Sequence, residues 1–104
     1  MKIGILLKSG PGSPESTRAL QTARDMLAQG HMVNLYLLQD AVRLCTHSTG
    51  LHSLIAKNLR VNVLAHDAEL RGITLPSAGQ AVSGGSYESL IDLLESCDQV
   101  IGIL

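Results

Sequence analysis

Residues Ile3–Leu38, IGILLKSGPGSPESTRALQTARDMLAQGHMVNLYLL, decide how this chain folds. Ile3–Leu7 and Met32–Leu38 are apolar runs with little alternation. Strands covered on both faces read this way, which points to a parallel sheet held between helices. The stretch between them carries helix punctuation. Ser13 can cap it, Pro14 suits the first helical position, Glu15 complements the helix dipole, and Gly30 can end it. Ala19, Leu20, Ala23, Met26 and Leu27 recur at helical spacing and form one apolar face. Strand, helix and strand in this order make a βαβ unit.

The rest of the chain extends the unit. Val61–Ala65 is a third apolar run and Val100–Leu104 a fourth. Between the second and third, a short run Ala41–Leu44, a polar turn Thr46–Gly50 and an apolar stretch Leu51–Leu59 predict two short helices. Residues Gly72–Gly85 are rich in Gly, Ser, Ala and Pro and read as a long loop with at most a short edge strand near Gln80–Val82. Ser86 caps a last helix from Tyr87 to about Ser96, with Leu90, Ile91, Leu93 and Leu94 turned toward the sheet. The expectation is one domain over residues 1–104, a doubly wound α/β sheet of four or five mainly parallel strands.

Composition narrows the function classes. A chain of 104 residues can bury roughly two-thirds of its unfolded surface, so neither metal nor disulfide is needed to hold it. Phe and Trp are absent and Tyr36 and Tyr87 are the aromatic residues, so the core is aliphatic and offers a poor platform for stacking bases. Eight Lys and Arg, scattered along the chain against nine Asp and Glu, argue against nucleic acid as a partner. No apolar run approaches the ~20 residues that span a bilayer. The opening run Ile3–Leu7 is too short for a secretory leader and ends in the turn Gly10-Pro11-Gly12. Two cysteines are too few for a disulfide framework or a four-ligand zinc site. We expect a soluble cytoplasmic protein with no cofactor, no metal, and no nucleic-acid or membrane partner. The aliphatic surplus, with a mean hydropathy of +0.22, suggests apolar contacts between subunits.

Ligands of open parallel sheets bind beyond the carboxyl ends of the strands, so the segments after each strand are the candidates. After the first strand, Ser9, Gly10, Gly12 and Ser13 lead glycines and hydroxyls toward a helix amino end, which suits an anion. The stretch lacks the GxxxxGK[ST] and GxGxxG patterns, and it reads equally as a turn and a cap. After the second strand come Asp40 and then Cys45, two residues from His47 and close to Arg43. Neighbouring cations lower a thiol's pKa and raise its thiolate fraction, so Cys45 with His47 is the candidate catalytic pair. Cys45 also fits a small buried hydrophobe, and Cys97, between the last helix and strand, reads as structural. After the third strand, Asp67 is expected to cap a short helix Ala68–Arg71, leaving His66 at a surface or interface. A metal site from His47, His52 and His66 matches no ligand spacing.

The Gly-rich turn into the first helix, Gln39-Asp40-Ala41-Val42, Ala68-Glu69-Leu70-Arg71-Gly72 and the closing Cys97-Asp98-Gln99-Val100 together resemble the DsrE/DsrF/TusD-like sulfur-relay family over essentially the whole chain. The resemblance implies a flavodoxin-like three-layer sandwich, assembly as a homotrimer or homohexamer, and sulfur-relay proteins as partners. Active members carry sulfur as a persulfide on a cysteine at the end of the third strand. Leu64 aligns there, so the carrier residue is expected to be missing. Three readings follow. The chain is a non-catalytic subunit or binding module of intracellular sulfur transfer; an active carrier that uses Cys45; or a small anion- or nucleotide-binding protein using the turn Gly10–Ser16 and the long loop Gly72–Gly85.

Overall fold

The computed structural model describes residues 1–47, 49–74 and 82–104; the side chains of residues 47 and 49 lie outside that description. The elements run β1 (Lys2–Leu7), α1 (Pro14–Ala28), β2 (Met32–Leu37), a 3-10 turn (Gln39–Arg43), α2 (Leu44–His47), α3 (Thr49–Ile55), β3 (Arg60–Leu64), α4 (Ala65–Leu70), β4 (Val82–Gly85), α5 (Tyr87–Glu95) and β5 (Gln99–Ile103). Among the described residues the sheet has five strands in the order β4-β3-β2-β1-β5, all parallel. The flavodoxin-like expectation holds, with a sheet that advances strand by strand from β1 to β4 and returns once to place β5 beside β1.

One sheet face is apolar across β1, β2 and β3. Ile3, Ile5 and Leu7 of β1, Val33, Leu35 and Leu37 of β2, and Val61 and Val63 of β3 meet Ala19 and Ala23 of α1, Leu51 and Leu54 of α3, and Ala68 of α4. Burying each Leu or Ile is worth about 1.5–3 kcal/mol, so this aliphatic layer is the main source of stability despite the missing aromatics. The small alanines of α1 let that helix approach the sheet closely.

The second face differs. Gly4, Asn34, Tyr36, Asn62 and Ser83 alternate with the core positions and project to the opposite side. α5 covers β3 and β4 there. A Cβ on Gly4 would lie 3.1 Å from the Cys97 sulfur and 3.1 Å from Tyr36 Cε2, so glycine is what lets the end of α5 and the following turn seat on β1. Leu90, Leu93 and Leu94 turn inward, but Ile91 is 52% exposed, contrary to the sequence reading. Leu90, Leu93, Leu94 and Cys97 fall within one turn-wide stripe, and Ile91 is rotated ~100° from Leu90.

Helix ends follow the sequence signals. The Ser13 side chain accepts from the Ser16 N–H at 3.1 Å, with Pro14 opening α1. Gly30 at φ 85° lets the His31 and Gly30 N–H groups turn back on the carbonyls of Met26 and Leu27. The same closure recurs after α3, where Asn58 takes φ 76°, and after α4 at Gly72. The expected edge strand near Gln80–Val82 begins at Val82, its earlier part lying outside the described residues.

Candidate functional site

The loops after β1, β2 and β3 converge at the carboxyl end of the sheet. Ala41 N–H reaches the Lys8 carbonyl at 3.2 Å, and Leu38 N–H reaches that of Leu7 at 2.9 Å, which lays the second loop along the first. A Cβ on Gly10 would meet Asp40 Cβ at 3.3 Å, so the glycine sets how closely the two loops approach. Ser13 Oγ donates to the Gly10 carbonyl at 2.7 Å while capping α1. This hydroxyl is already committed within its own turn.

The third loop enters through a carboxylate. Asp67 is 8% exposed, and its Oδ2 accepts the Gln39 N–H at 2.7 Å. Gln39 stands at φ 50°, in the left-handed region that side chains other than glycine adopt with strain. Arg71 Nε donates to Asp40 Oδ1 at 2.9 Å and its Nη1 to the Asp67 carbonyl at 3.2 Å, with the Asp67 carboxylate 3.9 Å away. Gly10, Asp40 and Asp67 therefore come together around Gln39 and Arg71. Ser9 lies half-buried, Gly12 exposed, and His66 exposed on α4.

The helix-cap reading of Asp67 is corrected. α4 starts at Ala65, directly from β3, with Leu64 in the cap position and no side-chain cap bond. Asp67 thus falls in the first helical turn and spans to the neighbouring loop instead of closing its own helix. Neither Gln39 nor Arg71 was a sequence candidate. Their role depends on a contact between residues 28 apart and another between residues 31 apart, for which local pattern gives no signal.

Cys45 sits in α2 packed into the aliphatic core, 6% exposed. Burial pushes its thiol up to about 11 from an ordinary 9.0. Arg43 is exposed, and the His47 side chain, the expected partner, lies outside the described residues. Cys97 lies on the other side of the sheet, its sulfur 3.7 Å from the Tyr36 hydroxyl and 3.4 Å from the Leu93 carbonyl. Tyr36 is fully buried, and burial first, then the hydrogen bond and charge of Cys97, raise its phenol well above the usual range. The two cysteines are therefore separated by the sheet. Beneath α5, Leu64, Asn62, Gly85, Ser89, Leu90 and Leu93 border a cavity of about 140 Å³.

The DsrH family model, described as "DsrH like protein", matches residues 12–100. None of the curated proteins matches the chain. Among solved structures, the ychN protein of E. coli is 27% identical with a TM-score of 0.84, covering 98% of each chain. BT1422 of Bacteroides thetaiotaomicron, a conserved protein of unknown function, superposes at TM-score 0.74 with 14% identity, covering 97% of this chain and 93% of that one. MTH1491 of Methanobacterium thermoautotrophicum, also of unknown function, gives TM-score 0.75 at 10% identity, covering 96% and 97%. The last two speak for the fold alone. The family match embraces β2, β3 and every loop of the carboxyl-end crevice from Gly12 onward, and on it the chain belongs to the DsrH-like family, a sulfur-relay family related to DsrE.

Proposed function

We propose that this chain is a non-catalytic subunit of a sulfur-relay assembly, acting through protein contacts and not by carrying a persulfide itself. The observation that carries this reading is the end of β3. There the buried Leu64 passes directly into α4, and its neighbour Ala65 offers no sulfur. The remaining thiol of the crevice side, Cys45, faces the aliphatic core, and at a pKa of about 11 only about one molecule in 10⁴ is thiolate at pH 7. The ion-paired loops around Asp67 and Arg71 give the crevice a fixed shape suited to contact. Self-assembly as a trimer or hexamer accompanies this role, supported by exposed Met32, Leu70, Ile91, Val100 and Leu104, a set of apolar side chains that water alone leaves unsatisfied. Intracellular sulfur-relay proteins are the expected partners.

The test is incubation with a low-molecular-weight persulfide donor at neutral pH, followed by intact mass measurement under non-reducing conditions. The expected result is no stable gain of a sulfur atom, in a protein that sediments as an oligomer at micromolar concentration. A stoichiometric gain mapped to Cys45 and abolished by Cys45→Ala would replace this reading with that of an active carrier.

A further inference from the structure

At the amino end of the strands, opposite the crevice, the sheet opens into a cleft of about 870 Å³. Its size is that of a small-molecule site, far larger than a bare ion needs. Lys2, His31, Asn34, Asn58, Arg60, Asn62 and Ser83 supply its polar lining. Among the described residues that line it, none is Asp or Glu, although the chain as a whole carries more acids than bases. Asp98 accepts the Lys2 backbone N–H at 2.7 Å and stands outside the lining. Lys2 Nζ donates to Ser96 Oγ at 3.0 Å and retains further donors.

A second observation bears independently on the same place. Asn34, on the central strand β2, is 5% exposed, and among the described residues its Nδ2 is buried with no hydrogen-bond partner. A buried amide left unpaired loses its hydration without compensation, so a ligand or ordered solvent that reaches it recovers that loss. Register places Asn34 beside Arg60, and Asn62 beside Ser83. Amide, guanidinium and hydroxyl donors thus lie in two successive rows across three strands, on the face where α5 rests mainly on β3 and β4.

We propose that this cleft binds a small organic anion, its carboxylate or phosphate held between Lys2 and Arg60 and its polar body reaching Asn34, Asn62 and Ser83. Charge sets the sign of the ligand and the amides set its polarity. The volume accommodates a metabolite-sized molecule. This site is separate from the crevice where relatives hold sulfur and does not depend on the relay role.

The experiment is a titration followed by amide NMR and thermal shift, with four probes at millimolar concentration: inorganic phosphate, acetate, AMP and citrate. AMP or citrate is expected to move the Asn34 and Asn62 side-chain amide signals and the backbone signals of Arg60 and Ser83; the bare ions move them less. AMP alone would assign a phosphate ligand, and citrate alone a carboxylate. Arg60→Glu should weaken binding at least tenfold. Asn34→Leu, which fills the same space without the amide, should abolish the Asn62 response while the protein stays folded. The proposal is overturned if none of the four probes moves these signals, or if Arg60→Glu leaves the response unchanged. It is equally overturned if the signals depend on protein concentration alone, with Arg60→Glu dissociating the oligomer, because a second copy of the chain then occupies the cleft.

Discussion

Replacing Asp67 by alanine removes the anchor of the β2 loop, and its cost can be worked from the contacts. The bond from Gln39 N–H to Oδ2, at 2.7 Å, is charge-assisted and largely shielded from water, the class worth about 1.5–3 kcal/mol. The approach of Arg71 Nη1 to Oδ1, at 3.9 Å, adds little, about 0.5 kcal/mol at most. Because the Gln39 backbone is held at φ 50°, losing the anchor also frees the loop to relax, which returns part of the strain. The expected net loss is about 2 kcal/mol for Asp67→Ala, or about 10 °C in melting temperature for a domain of this size. Asp67→Asn keeps an oxygen that can accept and should lose about half as much. In a Gln39→Gly background, where the left-handed backbone carries no strain to give back, Asp67→Ala should cost measurably more than in the parent chain. Chemical denaturation with matched m-values measures all four variants. A loss below about 0.5 kcal/mol for Asp67→Ala, or full additivity with Gln39→Gly, would refute the account of the carboxylate as the clamp on this loop.

Four further outcomes follow from the packing and the backbone. Cys45 should alkylate about 100-fold more slowly than an unperturbed thiol at pH 7, with a rate rising about tenfold per pH unit up to about 11, measured by iodoacetamide labelling with peptide mapping. The same shift makes folding pH-dependent: the buried thiol keeps its proton to about 11 whereas the unfolded one releases it from about 9, so its contribution is intact below pH 9 and lost by pH 11. The raised Tyr36 phenol acts in the same direction at still higher pH, and urea midpoints from pH 8 to 11 should fall accordingly. Gly4→Ala should destabilise by about 1–3 kcal/mol through overpacking against Cys97 and Tyr36, and Cys97→Ala, which removes the sulfur 3.1 Å from the new methyl, should recover part of it in the double variant. Asn58→Gly should be neutral or slightly stabilising, whereas Asn58→Val at φ 76° should cost about 1–2 kcal/mol by thermal melting.

The layered fold was legible because its signals are local. The apolar runs of β1, β2 and β3 and the Ser13, Pro14 and Gly30 punctuation of α1 each lie within a few residues of what they specify. Ile91 was misplaced because Leu90–Leu94 is apolar nearly all round, and only docking on β3 and β4 decides which side turns inward. The candidate site was legible only in part. Gly10, Asp40 and Asp67 do meet, but Asp67 serves another loop, and a local capping rule has no term for a partner 28 residues away. Cys45 lies at the end of an apolar run and its neighbours are cationic, so its sequence supports burial and reactivity alike. Only its seat among Leu44, Leu51 and their neighbours shows that the run continues into the core. The orphan amide of Asn34 gives no sequence signal, since an Asn in a strand is ordinarily paired.

The position of β5 beside β1 bears on how the chain reaches this state. Ile3 pairs with Gln99, whereas β1 pairs with β2 across only about thirty residues, Lys2 with Met32. Closing the longer loop costs about 1 kcal/mol more in chain entropy, and the single helix that returns to this edge rests mainly on β3 and β4. The first strand of this sheet in chain order is therefore the last to gain its second neighbour. Until then its outer edge presents unpaired backbone beside Leu6 and Leu7, and the rate-limiting event in folding is expected to be the docking of that final strand.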